Sequence, residues 1–230
     1  MAFAVAAFVM LIASGPGTRM GLWHFETGFA LLKWAAYTGI GAGIGALVLI
    51  VLMALPRWRH RPWVPILALC FALAAAVPPV LLLEHAKGTA PIHDVTTDIF
   101  DPPVFQALLP ERQKAPNGAA YGGMEVAKVQ QKAYPDIHTV VLKVPPDKAM
   151  QLAIDAARSS GWDIAASDSA AGRIEATATS MWFGFKDDVV VRIRPEGSGS
   201  RVDVRSVSRV GHGDLGANAA RIREFLHRLT

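Results

Sequence analysis

Two long apolar runs dominate the first third of the chain. Trp34 to Leu55 is 22 residues without a charge, and Trp63 to Leu83 repeats the pattern over 21. At about 1.5 Å per residue each reaches roughly 32 Å as a helix, enough to cross a hydrocarbon core of about 30 Å. An earlier run, Ala2 to Ala13, supplies only 12 apolar residues before Ser14-Gly15-Pro16-Gly17, a breaker cluster that predicts a short or tilted first span. A cleaved signal peptide is the alternative, although no basic region follows Met1; a start further upstream is another. The expected anchor is residues 1–83, with spans at about 2–17, 34–55 and 63–83.

Beyond it the pattern changes. Residues 84–123, rich in Pro, Asp and Gly, read as an irregular linker. Met124 to Ala133 is helix-compatible, and Ile137 to Val144 is rich in β-branched residues. Pro146 to Ser160 carries an apolar stripe at Ala149, Leu152, Ala153 and Ala156 that predicts an amphipathic helix ending at Gly161. Trp162–Ala166, Arg173–Thr179, Phe185–Arg194 and Arg201–Val210 read as strands, and a last helix is predicted from Leu215, with Leu215, Ala219, Ile222, Leu226 and Leu229 on one face. Along the strands Ile174, Ala176, Ala178, Val189, Val191, Ile193, Val202 and Val204 alternate with Arg173, Glu175, Asp188, Arg192, Arg194, Arg201, Asp203 and Arg205. One face is therefore expected beneath the helices and the other in water. The predicted fold class is α+β: transmembrane helices, then residues 124–230 as an antiparallel sheet with helices packed on one face.

Charge sharpens the division. Residues 1–83 carry five basic and one acidic side chain, whereas residues 84–230 carry 18 of each. The pI of 9.4 thus reflects the apolar part, and the balanced folded part excludes nucleic acid as a partner. Arg57, Arg59 and Arg61 between the two long runs place that loop in the cytoplasm by the positive-inside rule and the C-terminal domain in the periplasm. Trp34, Trp58 and Trp63 sit where interfacial aromatic anchors are expected. Neither long run has an ionisable residue at its centre, which argues against a proton relay or ion-coupled transport. Gly39, Gly41, Gly43 and Gly45 form overlapping small-xxx-small pairs suited to packing on a neighbouring span, with a dimer or partner face as the alternative. The single Cys70 excludes an internal disulfide framework.

Candidate chemistry is sparse. With Arg194 opposite Arg201, Arg192 faces Asp203 and Asp188 approaches Arg205 and Arg209, so Asp187, Asp188, Arg192 and Asp203 read as a structural polar network. Asp187 points to the other face, opposite Ser208. Arg205, Ser206, Ser208, Arg209 and Asn218, beside the start of the last helix, form a candidate anion or ligand site, weakened by Asp214 occupying the cap. His93, Asp94, Asp98 and Asp101 do not make a metal signature, and no catalytic motif, metal or cofactor is expected. Met181, Trp182, Phe183 and Phe185 at a hairpin tip either fold back or touch a membrane or partner.

The segments Ile92–Phe105, Ala133–Ile137, Gly172–Pro195 and Arg201–Leu226 resemble an uncharacterised bacterial family, number 1499 in the domain-of-unknown-function series. The resemblance covers most of residues 90–228 and implies a membrane-tethered or exported envelope protein. It carries no activity, cofactor or catalytic residue. The expectation is an inner-membrane protein displaying a periplasmic module for an envelope protein or lipid head group, with the bilayer itself as a partner. An enzyme acting on an anionic substrate and an assembly factor are the alternatives.

Overall fold

The computed structural model describes residues 1–53, 55 and 61–229. It divides into two compact units. The first is Met1–Gly88 with Met181–Gly184, and the second is Thr89–Ser180 with Phe185–Thr230.

The first unit holds three helices, α1 (Ala2–Arg19), α2 (Phe25–Leu52) and α3 (Trp63–Lys87), each long and apolar enough to cross a membrane. Helix α1 continues through the predicted breaker. Ser14 Oγ donates back to the Leu11 carbonyl at 2.7 Å and Thr18 Oγ1 to that of Ser14 at 3.0 Å, so local side chains engage carbonyls around Pro16. Helix α3 likewise runs through Pro78-Pro79 to Lys87, past the expected end at Leu83. Helix α2 begins at Phe25, nine residues before Trp34, because one acidic and one basic residue in its first turns do not interrupt the helix. Of the arginine-rich loop, residues 56–60 with Arg57, Trp58 and Arg59 lie outside the described residues.

The predicted glycine face splits in two. Gly39 and Gly43 are buried against α3, whereas Gly41 and Gly45 have no atom within 4 Å of where a Cβ would stand. A methyl on Gly39 would lie 2.9 Å from the Ala72 carbonyl oxygen and 3.2 Å from the Ala76 Cβ. This is the close approach that small residues permit between apolar helices.

The second unit is a six-stranded antiparallel sheet. Its strands are β1 (Asp94–Thr96), β2 (Val140–Leu142), β3 (Asp163–Asp168), β4 (Arg173–Thr179), β5 (Lys186–Glu196) and β6 (Gly199–Ser208). Strands β6, β5, β4 and β3 follow in order, and β1 and β2 both pair with β6. The two-residue turn Gly197-Ser198, with Gly197 at φ +57°, sets Arg194 opposite Arg201, Arg192 opposite Asp203 and Asp187 opposite Ser208. Helices α6 (Pro146–Ser159) and α7 (Ala217–Leu229) cover the face carrying Ile174, Val189, Val191, Val202 and Val204. There Trp162 stacks on Phe225 at 5.0 Å. Helix α5 (Gly123–Ala133) brings Gln130, whose amide bonds both the N–H and the carbonyl of Thr96 in β1. Leu215, predicted as the first residue of the last helix, has φ +57° and precedes it.

Two expectations need correction. The stretch read as linker belongs to the sheet unit from Thr89 onward, supplying β1 and helix α4 (Leu109–Lys114). Its Pro and Asp content disguises a segment whose buried residues, Ile92, Val95, Phe105, Leu108 and Arg112, are spaced without a period. As a result the second face of the sheet is covered by this segment. Phe105 and Leu108 pack on Val190 and Val207, and Glu175, Asp188, Asp203 and Arg205 are buried.

Substituting Gly39 by Val should lower the detergent melting temperature by an amount equivalent to about 1–3 kcal/mol. Gly41→Val should change it by about 0.5 kcal/mol or less. Thermal unfolding of the two variants in the same detergent checks the asymmetry.

Candidate functional site

Period-two alternation decides where each polar side chain goes. On β6, Arg205 and Val207, with Arg209 just beyond the strand, face the covering segment, while Ser206 and Ser208 face α7. The five residues predicted as one anion site are therefore on opposite faces of the sheet, and they form two clusters.

The first cluster lies under α7. Asn218 is fully buried; its side-chain oxygen accepts from Ser206 Oγ at 2.6 Å and from Arg221 Nη1 at 2.6 Å. Its amide nitrogen donates to Ser208 Oγ and to the His93 carbonyl, each at 3.0 Å. Arg221 also donates to Asp187 Oδ2 at 2.6 Å. Ser208 opposes Asp187 in the ladder, but the partner that balances the Asp187 charge is Arg221. Asp214 caps α7, accepting from Gly216 N at 2.9 Å and Asn218 N at 2.6 Å. Burial pushes its carboxyl upward in spite of those bonds.

The second cluster lies beneath the covering segment, and it replaces the solvated ion pairs expected there. Asp203 is fully buried: its Oδ1 accepts from Thr139 Oγ1 at 2.6 Å, while Oδ2 takes Arg192 at 3.0 Å, Arg194 at 3.1 Å and Arg201 at 3.3 Å. Asp98 and Asp101 complete the charge balance, with Arg201 to Asp98 at 2.8 Å and Arg194 to Asp101 at 3.0 Å. Carboxylates thus separate Arg194 from Arg201, which would otherwise repel across the ladder. Burial works to raise the Asp203 carboxyl, but the bonds from Thr139 and Arg192 and the charges of Arg192 and Arg201 outweigh it and hold it below its ordinary value.

Further along the same face Asp188 accepts from Thr177 Oγ1 at 2.8 Å and pairs with Arg209 at 2.8 Å, and Arg112 Nη1 lies 3.4 Å away. The bond to Asp188 raises the Arg209 guanidinium, while burial lowers that of Arg112. Arg205 chelates Asp94 through Nε at 3.0 Å and Nη2 at 2.7 Å. The Phe105 ring lies 5.7 Å from the Arg112 guanidinium and 5.6 Å from that of Arg205, and Tyr121 lies 5.4 Å from Arg205. Burial pushes the Tyr121 hydroxyl up to about 12. Glu175 accepts from the backbone N–H groups of Gln106 at 2.8 Å, Ala107 at 3.2 Å and Leu108 at 2.8 Å. A buried carboxylate from β4 thereby supplies acceptors for three successive backbone N–H groups in the turn that leads into α4.

Asp94, Asp98 and Asp101, weighed as metal ligands, are engaged by guanidinium groups. Among the described residues no group of three or more His, Cys, Asp or Glu has metal-holding geometry. Arg112 and Arg221 were not singled out in the sequence. Arg221 follows Asn218 at the i, i+3 helical spacing, which was a readable signal; Arg112 sits in an aperiodic stretch and offered none. At the hairpin tip Met181 and Trp182 are exposed and Phe183 is buried; Phe185 is partly buried and donates its N–H to Ser180 Oγ at 2.9 Å.

A cleft of about 290 Å³ opens beside the first cluster, lined by Ser160, Trp162, Thr179, Ala220, Arg221 and Glu224 among others. Arg221, on its wall, connects it to Asp187 and Asn218 through hydrogen bonds, and Arg205 is not among its lining residues.

Arg205→Met should destabilise the protein by about 3–5 kcal/mol, because it leaves Asp94 buried and unpaired. Adding Asp94→Leu should recover most of that loss, as chemical denaturation of the single and double variants would reveal. The depressed Asp203 carboxyl contributes stability that is present above the ordinary aspartate value of about 3.9 and is lost as pH falls through its lower folded value. Stability curves taken down from pH 5 should therefore fall less steeply for Asp203→Asn than for the unaltered protein.

The comparison with known families agrees with these segments. The family model described as "Protein of unknown function (DUF1499)" matches residues 94–229, from the first residue of β1 to the last of α7. No curated protein matches the chain. The match covers more than half of the sequence and includes both polar clusters and the covering segment, and the chain belongs to the DUF1499 family.

Proposed function

We propose that the protein is a bacterial inner-membrane protein whose α1–α3 anchor holds the sheet unit on the periplasmic side as a binding module for an envelope protein or a lipid head group. The observation that carries the binding role is the mutual pairing of its carboxylates and guanidinium groups. Asp187, Ser206, Ser208, Asn218 and Arg221 partner one another, as do Asp203, Asp98 and Asp101 with Arg192, Arg194 and Arg201, Asp94 with Arg205 and Asp188 with Arg209, and most are buried, whereas the Tyr121 hydroxyl and Arg112 Nε are buried without a partner. A nucleophile works when a base stands beside it uncommitted. Here Ser206 and Ser208 are bound to Asn218, and Asp187 is bound to Arg221. Such a unit offers a rigid, shaped surface. Its cleft of about 290 Å³ suits a single side chain or a head group, with Thr179, Arg221 and Glu224 supplying polar contacts at its wall.

The orientation rests on the excess of Arg57, Arg59 and Arg61 in the short loop between the second and third apolar helices. Three crossings then leave residues 89–229 outside the cytoplasm. An enzyme acting on an anion would have needed Arg205 and Arg209 beside Ser206 and Ser208, and alternation along β6 divides them.

A photo-crosslinking residue placed at Ala220, on the cleft wall, should give a discrete adduct in living cells. The same residue at Lys148 on α6 should give none. A reporter enzyme that folds only after export, fused behind Leu229, should be active. No adduct at Ala220 would remove the binding role, and an inactive export reporter with an active cytoplasmic one would remove the orientation.

A further inference from the structure

The connection between β4 and β5 has an unusual composition for a hairpin tip. Turns favour small and polar residues, yet this one reads Ser180-Met181-Trp182-Phe183-Gly184-Phe185. The backbone pinches shut behind it: Ser180 N donates to the Phe185 carbonyl at 2.8 Å. Four residues therefore stand proud of the ladder. Gly184, at φ +72°, supplies the left-handed residue that turns the chain back.

Those four residues belong to the helical unit, and their seat is made of small residues on α1 and α2. A Cβ on Gly15 would stand 2.1 Å from the Trp182 indole, so the ring occupies the space a side chain would take. The indole N–H lies 3.4 Å from Ser14 Oγ. Phe183 packs over Gly28 and lies 5.0 Å from the Phe29 ring. Arg19, in the last turn of α1, donates to the Met181 carbonyl at 2.5 Å.

The depth of this seat follows from the helix rise. Gly15 is four residues before the end of α1 and Gly28 three residues after the start of α2, so both lie about 5 Å inside the helix ends. If the helices span a bilayer, as proposed above, the tip is level with the interface between head groups and acyl chains. The helices cover Phe183 but leave Met181 86% exposed and Trp182 41% exposed. Phe29, whose ring meets Phe183 in the same tip, is itself an exposed apolar side chain of α2. Tryptophan and a snorkelling arginine are the residues that settle at this depth.

We infer that Met181 and Trp182 form a re-entrant membrane contact: a hairpin tip wedged into the outer head-group region, with Met181 in contact with lipid. This rests on the spanning role of α1–α3.

The test uses the full chain in lipid nanodiscs. Cys70 is replaced by Ala, and one fluorophore-bearing cysteine is introduced as Met181→Cys, Ile44→Cys or Ser198→Cys. Lipids carry nitroxides at a shallow or a deep position on the acyl chain. The label at 181 should be quenched by the shallow nitroxide at least threefold more than the label at 198, in the turn between β5 and β6. The label at 44, exposed at the middle of the uncharged run Trp34 to Leu55, should respond to the deep one. Quenching at 181 no greater than at 198, with 44 still quenched, overturns the wedge alone. Loss of quenching at 44 as well overturns the spanning reading and the wedge with it.

Discussion

The sheet unit depends on charge neutralisation in a place where water has been removed. Asp203, Asp188 and Glu175 are buried on one face of the sheet, and isolated carboxylates there would cost several kcal/mol each. They are tolerable because the covering segment brings both the dry environment and part of the compensation. Arg112 and the backbone amides of Gln106 to Leu108 come from that segment, and Asp94, Asp98 and Asp101 balance Arg192, Arg194, Arg201 and Arg205 from the strands. Cover and charge are mutually dependent. Without residues 92–121 the face would be a solvated set of weak ion pairs worth a fraction of a kcal/mol each.

That dependence explains what could be read from the sequence and what could not. The helix face was legible because Ile174, Ala176, Val189, Val191, Val202 and Val204 alternate strictly, and strict alternation has few other causes. The register of β5 and β6 was legible because a Gly-Ser turn of two residues fixes it. The opposite face misled because alternation of charged residues ordinarily means solvent, and nothing periodic in residues 97–122 announces a cover. Its anchors are single residues, Phe105, Leu108 and Arg112, spaced as the path of a loop dictates.

The candidate site shows the same division. Naming Arg205, Ser206, Ser208 and Arg209 as one group follows from nearness in sequence. On a strand, nearness in sequence sends neighbours to opposite faces. Ser206 and Ser208 gain Asn218 because α7 crosses their face, and Arg205 gains Asp94 because β1 pairs with β6. Asn218 belonged with the serines, and the i, i+3 relation to Arg221 could have extended the group to Asp187.

In the helices, the residues that suggested an ending have a different use. Ser14-Gly15-Pro16-Gly17 would stop a helix in water, where the freed carbonyls have solvent as an alternative partner. In an apolar setting that alternative is absent; the helix continues past Pro16, and the Ser14 and Thr18 hydroxyls each donate back to a carbonyl of the preceding turn. What glycine then contributes is the missing side chain. Gly15 admits the Trp182 indole, Gly17 that of Trp23, and Gly28 the edge of Phe183. The same logic places Gly39 against the Ala72 carbonyl. Helices of this composition bury little apolar surface against one another relative to lipid, so close backbone approach and aromatic filling carry the specificity of their packing. A glycine there is therefore best judged by what occupies the space its Cβ would fill.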